Sequence, residues 1–146
     1  MPNILVIGSS NTDMVVKTER FPQAGETILG GEFFMFPGGK GANQAVAAAR
    51  LGGEVTFICK VGQDIFGTQA VEGFKKEGIA TDFCLTDEHT ASGVALITVN
   101  AEGENEIVVA SGANNQLTTT DLDNAESAFA AADLVLIQLE TPIPTV

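Results

Sequence analysis

Three groups of polar residues in this sequence could do chemistry. The run Pro37-Gly38-Gly39-Lys40-Gly41-Ala42-Asn43-Gln44-Ala45 joins three glycines to a lysine and an asparagine. Glycines let the backbone turn tightly and approach a ligand with no Cβ in the way. The helix-forming residues that follow would aim free N–H groups at that ligand, while Lys40 and Asn43 add donors suited to hydroxyls or phosphate. Asn11 and Asp13 form the second group. A carboxylate can accept from two neighbouring hydroxyls of a polyol, and an amide can both donate and accept. The third is Glu140, in Gln138-Leu139-Glu140-Thr141-Pro142. Taken singly, each has a plainer role. The glycines could open a helix that binds nothing, the Asp could cap a turn, and the Glu could sit in solvent. What would distinguish a site is all three meeting in one crevice.

The glycine run fits neither of the common phosphate fingerprints. A Walker A loop needs Ser or Thr after the lysine and a glycine at position 34, where this chain has Gly41 and Phe34. A dinucleotide fingerprint starting at Gly39 needs a glycine at position 44, which is Gln44. His89, the only histidine, lies in the polar stretch Asp87-Glu88-His89-Thr90 and reads as a surface residue. Cys59 and Cys84 have no metal-ligand spacing and read as reduced packing residues.

The flanking patterns indicate what must position these groups. Ile4–Ile7 is a continuous apolar run ending at Gly8, as in a strand covered on both faces. It places Asn11 and Asp13 at a strand's carboxyl end, where open α/β sheets bind ligands. Short β-prone pieces at Met14–Val16, Thr27–Leu29 and Phe33–Phe36 suggest a hairpin-like or lid-like excursion. From Gly41 an alanine-rich helix runs to Leu51 and stops at Gly52-Gly53. Val55–Lys60 is a second buried strand, and Asp64 can cap a helix that reaches Gly78. Ala95–Val99 and Glu106–Ala110 flank Asn100–Glu104 as a β-hairpin. Asp121 to about Ala130 is helical, and Leu134–Leu139 is a third buried strand. This alternation predicts an α/β fold with a parallel sheet, three core strands so far, and a small second sheet made by the two excursions. The run Phe33-Phe34-Met35-Phe36 suits either core packing or contact with a second subunit.

The 146 residues suffice for one α/β domain with a real core. A net charge of −12 opposes binding to a nucleic-acid backbone, though not to a nucleotide held by helix N-termini and Mg²⁺. Met1-Pro2-Asn3 lacks the basic region of a signal peptide, and Ile4–Ile7 is too short to span a membrane. The expected location is the cytoplasm.

These residues resemble a known family. Gly8-Ser9-Ser10-Asn11-Thr12-Asp13, Phe21-Pro22-Gln23-Ala24-Gly25-Glu26-Thr27, the Gly38–Gln44 loop, Gly52 and Gly62 are similar to the ribokinase-like, phosphofructokinase-B-related carbohydrate kinases. Ser92-Gly93-Val94-Ala95, Glu102-Gly103-Glu104-Asn105, Ser111-Gly112-Ala113-Asn114 and Gln138-Leu139-Glu140 follow in the family's order, so the resemblance covers essentially the whole chain. It implies a Rossmann-like domain, residues 1–146 being the N-terminal part. It also implies a β lid, from segments near 14–36 and 94–110, that covers the sugar and pairs two subunits. It makes Asn11, Asp13, Gly39, Lys40, Asn43 and Glu140 the sugar contacts, with Ala95, Ile107 and Val109 closing an apolar lid.

The implied reaction is transfer of phosphate from Mg²⁺·ATP to the 5-hydroxyl of D-ribose, with a monovalent cation such as K⁺ in the complete protein. Fructose, a deoxyribose or pseudouridine are alternative acceptors, and a non-catalytic sugar-binding or dimerising fragment is a further alternative. One departure is large. Family members are about twice as long, and their Gly-Ala-Gly-Asp motif, which carries the catalytic base and anion hole, does not occur here. The expectation is therefore a sugar-binding half with no catalytic residue and no metal ligand of its own.

Overall fold

The computed structural model describes all 146 residues as two four-stranded sheets with helices packed on one of them. The first sheet is parallel, in the order β5 (Cys84–Asp87), β4 (Glu54–Gly62), β1 (Asn3–Ile7), β8 (Leu134–Ile137). Helices α1 (Lys40–Arg50) and α2 (Ile65–Lys76) cover one face, over a core that includes Val6, Ala45, Phe57 and Phe74. The Phe57 and Phe74 rings meet edge to face, 5.1 Å between centroids. On the other face Leu5, Ile7 and Ile58 pack against Leu117, Ala125 and the short helices α3 (Thr119–Asp123) and α4 (Glu126–Ala131). The continuous apolar strands thus arise where a sheet is covered on both sides.

The second sheet has the order β3 (Glu32–Gly38), β2 (Asn11–Lys17), β6 (Gly93–Val99), β7 (Asn105–Ala110). Its outer pairs are antiparallel and its central pair, β2 with β6, is parallel. The two excursions therefore join into one sheet, as the sequence suggested. The chain enters it directly: β1 ends at Ile7 and β2 begins at Asn11, with only Gly8, Ser9 and Ser10 between them.

Several elements differ from the sequence reading. Thr27–Leu29 is not a strand; the β-prone triplet lies between glycines in a loop with no partner. The polar cluster at Asn11–Asp13 is strand, not turn, because it is paired on both sides by β3 and β6. The parallel sheet has four strands, not three, since the four residues Cys84–Asp87 add β5 beside β4. The helix expected from Asp121 to Ala130 is two short ones, broken around Asn124 and Ala125. Leu134–Ile137 is not buried. As an edge strand with a neighbour on one side only, it leaves Leu134, Val135 and Ile137 exposed. No helix is long and apolar enough to cross a membrane.

Candidate functional site at the junction of the two sheets

The polar groups gather where the chain passes from the first sheet to the second. Ser9 and Ser10, in the crossing segment, are buried. Gly41 at the start of α1 packs directly on that segment, since a Cβ there would stand 2.5 Å from the Ser9 nitrogen. Gly39 precedes the helix with φ 92°, a left-handed conformation that favours glycine. It too lies against the crossing, and a Cβ would meet the Asn11 nitrogen at 2.7 Å. The Ala42 amide donates to the Ser9 carbonyl at 2.9 Å, which fixes the helix N-terminus to the end of β1. This is why a glycine-rich run must precede an alanine-rich helix here.

Lys40, the first residue of α1, forms an ion pair with Glu140, Nζ to Oε1 at 2.8 Å. Glu140 follows β8 and is held from below: the Ser9 hydroxyl lies 2.9 Å from Oε2 and 3.0 Å from Gln138 Oε1. Asp13, on β2, rests its carboxylate against Gly38, where a Cβ would be 2.3 Å from Oδ1. Burial, with the nearby Glu140 charge added, pushes the Asp13 carboxyl above the usual range. Burial alone would raise Glu140 as well. The Lys40 ammonium and the Ser9 hydroxyl outweigh it and hold Glu140 below its ordinary value. Of the two carboxylates only Glu140 has the ammonium as its partner; Asp13 feels the Glu140 charge as repulsion.

Sequence reasoning expected Asn11, Asp13, Gly39, Lys40, Asn43 and Glu140 in one crevice, and the structure joins them in two subsets. Lys40 and Glu140 form an ion pair, and the Glu140 charge reaches Asp13. Asn11 and Asn43 both line an adjoining groove of about 650 Å³ between β2–β3 and the helices α1 and α2, whose apolar walls include Met35, Val46, Phe66 and Phe74. Gly39 lies between the two subsets, capping α1. Glu140 is not the solvated loop residue it would be alone.

The three residues expected over the sugar share a face with Asp13. Asp13 pairs with Ala95, Ala95 with Val109, and Ile97 with Ile107, and directly paired residues point the same way. Ala95 is buried, whereas Ile107 and Val109 are 53% and 51% exposed. Phe36 and Phe34 lie on this face too, with stacked rings 6.1 Å apart. Phe33 and Met35 project from the opposite face and are exposed, so the Phe33–Phe36 run packs into no core of this chain.

His89 is exposed, and Cys59 and Cys84 are free thiols. No group of three or more His, Cys, Asp or Glu side chains could hold a metal ion. Sequence reasoning missed Ser9, Gln138 and Asn114 as supports of the site. The buried Asn114 amide bonds to Ser10, Asn11 and Ser111. The only signal for it was its place in Ser111-Gly112-Ala113-Asn114.

Residues 1–145 match the pattern of the pfkB family carbohydrate kinases. The chain belongs to that family. A ribokinase of Bacillus subtilis is 50% identical over 146 residues, which is 100% of this chain and 50% of the relative. A deoxyribokinase of Salmonella typhimurium is 41% identical over 144 residues, 99% of this chain and 47% of the relative. Among solved structures, an Arabidopsis thaliana ribokinase complexed with ribose and ATP superimposes with a TM-score of 0.87 at 33% identity, covering 97% of this chain and 46% of that one. The chain thus spans about half the length of these pfkB relatives, and its α/β architecture is that part of the ribokinase fold.

Proposed function

We propose that this chain is the sugar-binding part of an ATP-dependent kinase that phosphorylates the 5-hydroxyl of D-ribose. The observation that carries the reading is the Lys40–Glu140 ion pair, with Asp13 close enough to feel the Glu140 charge, near the carboxyl ends of β1 and β8. A polyol needs donors and acceptors alternating around it. Asp13 and Glu140 accept from ring hydroxyls, while Lys40, Asn11 and Asn43 donate to them. The Gly39 backbone allows the sugar to approach the start of α1. Ala95, Ile107 and Val109 form the underside of a lid, the second sheet, whose exposed apolar face excludes water on closing over the sugar. The same sheet joins two subunits as a homodimer.

The division of labour follows from the chemistry. Phosphoryl transfer depends on positioning the acceptor and on stabilising the transferred charge. This chain positions the acceptor. ATP with Mg²⁺ is the phosphate donor, and the catalytic base, the anion hole and a K⁺ site belong to sequence outside these 146 residues. The 146-residue chain alone is inactive, and the protein works in the cytoplasm.

A second reading is a kinase for 2-deoxyribose, favoured by the similarity to the Salmonella deoxyribokinase. A panel of D-ribose, 2-deoxyribose, fructose and pseudouridine with ATP, tested on the complete reading frame, separates these. D-ribose should give the highest kcat/KM. A clear preference for any other acceptor replaces the substrate, and turnover of none removes the kinase reading.

A further inference from the structure

We infer that Asn114 is a positioning residue that fixes Asn11 as a hydrogen-bond donor toward the sugar. The inference rests on the proposed sugar site and names how one contact in it is oriented. Asn114 is 1% exposed, so its amide must be satisfied within the protein. The backbone N–H of Ser10 donates to Asn114 Oδ1 at 2.9 Å. That donor requires an oxygen opposite it, which sets the Asn114 amide one way round. Asn114 Nδ2 then faces three acceptors: the Ser111 carbonyl at 2.9 Å, the Ser10 carbonyl at 3.2 Å and Asn11 Oδ1 at 2.8 Å. Two backbone carbonyls cannot donate, so Nδ2 cannot be exchanged for oxygen.

The consequence passes to Asn11. Facing an NH₂ group, its own amide must present oxygen to Asn114. Its Nδ2 therefore points away from Asn114, where it can donate to a ligand. Gly93 permits the contact, because a Cβ there would lie 2.2 Å from Asn11 Oδ1 and 2.3 Å from Asn114 Nδ2. The two asparagines are 103 residues apart in sequence. Asn114 also ties β2 to the turn Gly112–Gln116 that follows β7, so the same amide joins the crossing segment to the chain leaving the edge strand at the same end of the second sheet.

The test is a double-mutant cycle on the complete reading frame, with D-ribose kinetics as readout. Asn114→Asp cannot donate, so Asn11 would reverse its amide and present oxygen to the sugar. KM for D-ribose should rise about tenfold, as for loss of one well-placed hydrogen bond, with kcat within about threefold. In an Asn11→Ala background the same substitution should add less than about twofold, because its effect acts through Asn11. A full Asn114→Asp effect in that background overturns the inference, since it would show a purely structural role.

If Asn114→Asp does not fold, side-chain amide exchange in the unaltered, sugar-free protein decides the matter. The Asn114 NH₂ hydrogens should exchange slowly with solvent and those of Asn11 quickly. Protected Asn11 hydrogens would mean the reverse orientation and sink the inference. This readout needs no sugar, so absence of any ribose turnover would count against the proposed function alone.

Discussion

At the scale of single residues the site separates function from stability. Burial and the Glu140 charge both raise the pKa of Asp13, so ionising its carboxyl in the folded protein carries a cost. A carboxyl raised in the folded state destabilises the protein above that raised pKa, and the cost fades as pH falls through it toward the unfolded value. Asp13→Asn should therefore melt at a higher temperature than the parent at pH 7, with the difference shrinking as the melts are repeated at lower pH. A constant difference, or a loss of stability at pH 7, would contradict this. Lys40 gives the opposite contrast. Its side chain is 74% exposed, so its ion pair with Glu140 adds little to stability. Lys40→Met should change unfolding free energy by less than about 1 kcal/mol while raising KM for D-ribose about tenfold or more. Asn11, Asp13, Lys40 and Glu140 stand out as candidates in the sequence because their types and local patterns carry the family resemblance. Ser9, Gln138 and Asn114 do not. The hydrogen bonds that bring them to the site span 103 to 131 residues of sequence, and no local pattern names those partners.

At the scale of elements, the start of α1 is what sets the site. Gly41→Ala would drive a Cβ to 2.5 Å from the Ser9 nitrogen and 2.6 Å from the Gly8 carbonyl carbon. The helix would have to lift from β1, at a cost of about 1–3 kcal/mol. Gly73, inside α2, has nothing within 4 Å of the corresponding position. Gly73→Ala should instead stabilise by about 0.5–1 kcal/mol, from helix propensity alone. Denaturant unfolding of the two variants side by side checks the pair, and equal destabilisation would refute the packing account. The strands and helices with strong periodicity were readable, including the alanine face of α1 and the Asp64 cap, whose carboxylate accepts from the Gly67 amide. Four-residue β5 carries too little pattern to be seen, and it exists because β4 offers it an edge. The break between α3 and α4 falls at Asn124-Ala125, where Ala125 turns fully into the core.

At the scale of the whole molecule, two sheets meet at a three-residue crossing, and the polar residues that could grip a sugar collect there. Sequence alone showed that both excursions were β structure. It could not show that β2 and β6 pair in parallel across 75 intervening residues, since long-range register has no local signal. That pairing aligns Asp13 with Ala95 and Val109 and turns two hairpins into one sheet. The place of β8 at or near the sheet edge was readable, but its burial was not: an apolar run describes what a strand is suited to pack against, and only the assembled sheet shows its neighbours.

The most direct measurement is ATP-dependent phosphorylation of D-ribose by the complete reading frame, run beside its Asp13→Ala variant and the 146-residue chain alone. The expected result is turnover by the first, kcat/KM at least about 100-fold lower in the second, and none by the third. An Asp13→Ala enzyme with undiminished kcat/KM, or turnover by the 146 residues on their own, would contradict the assignment of sugar recognition to this chain and of catalysis to sequence beyond it.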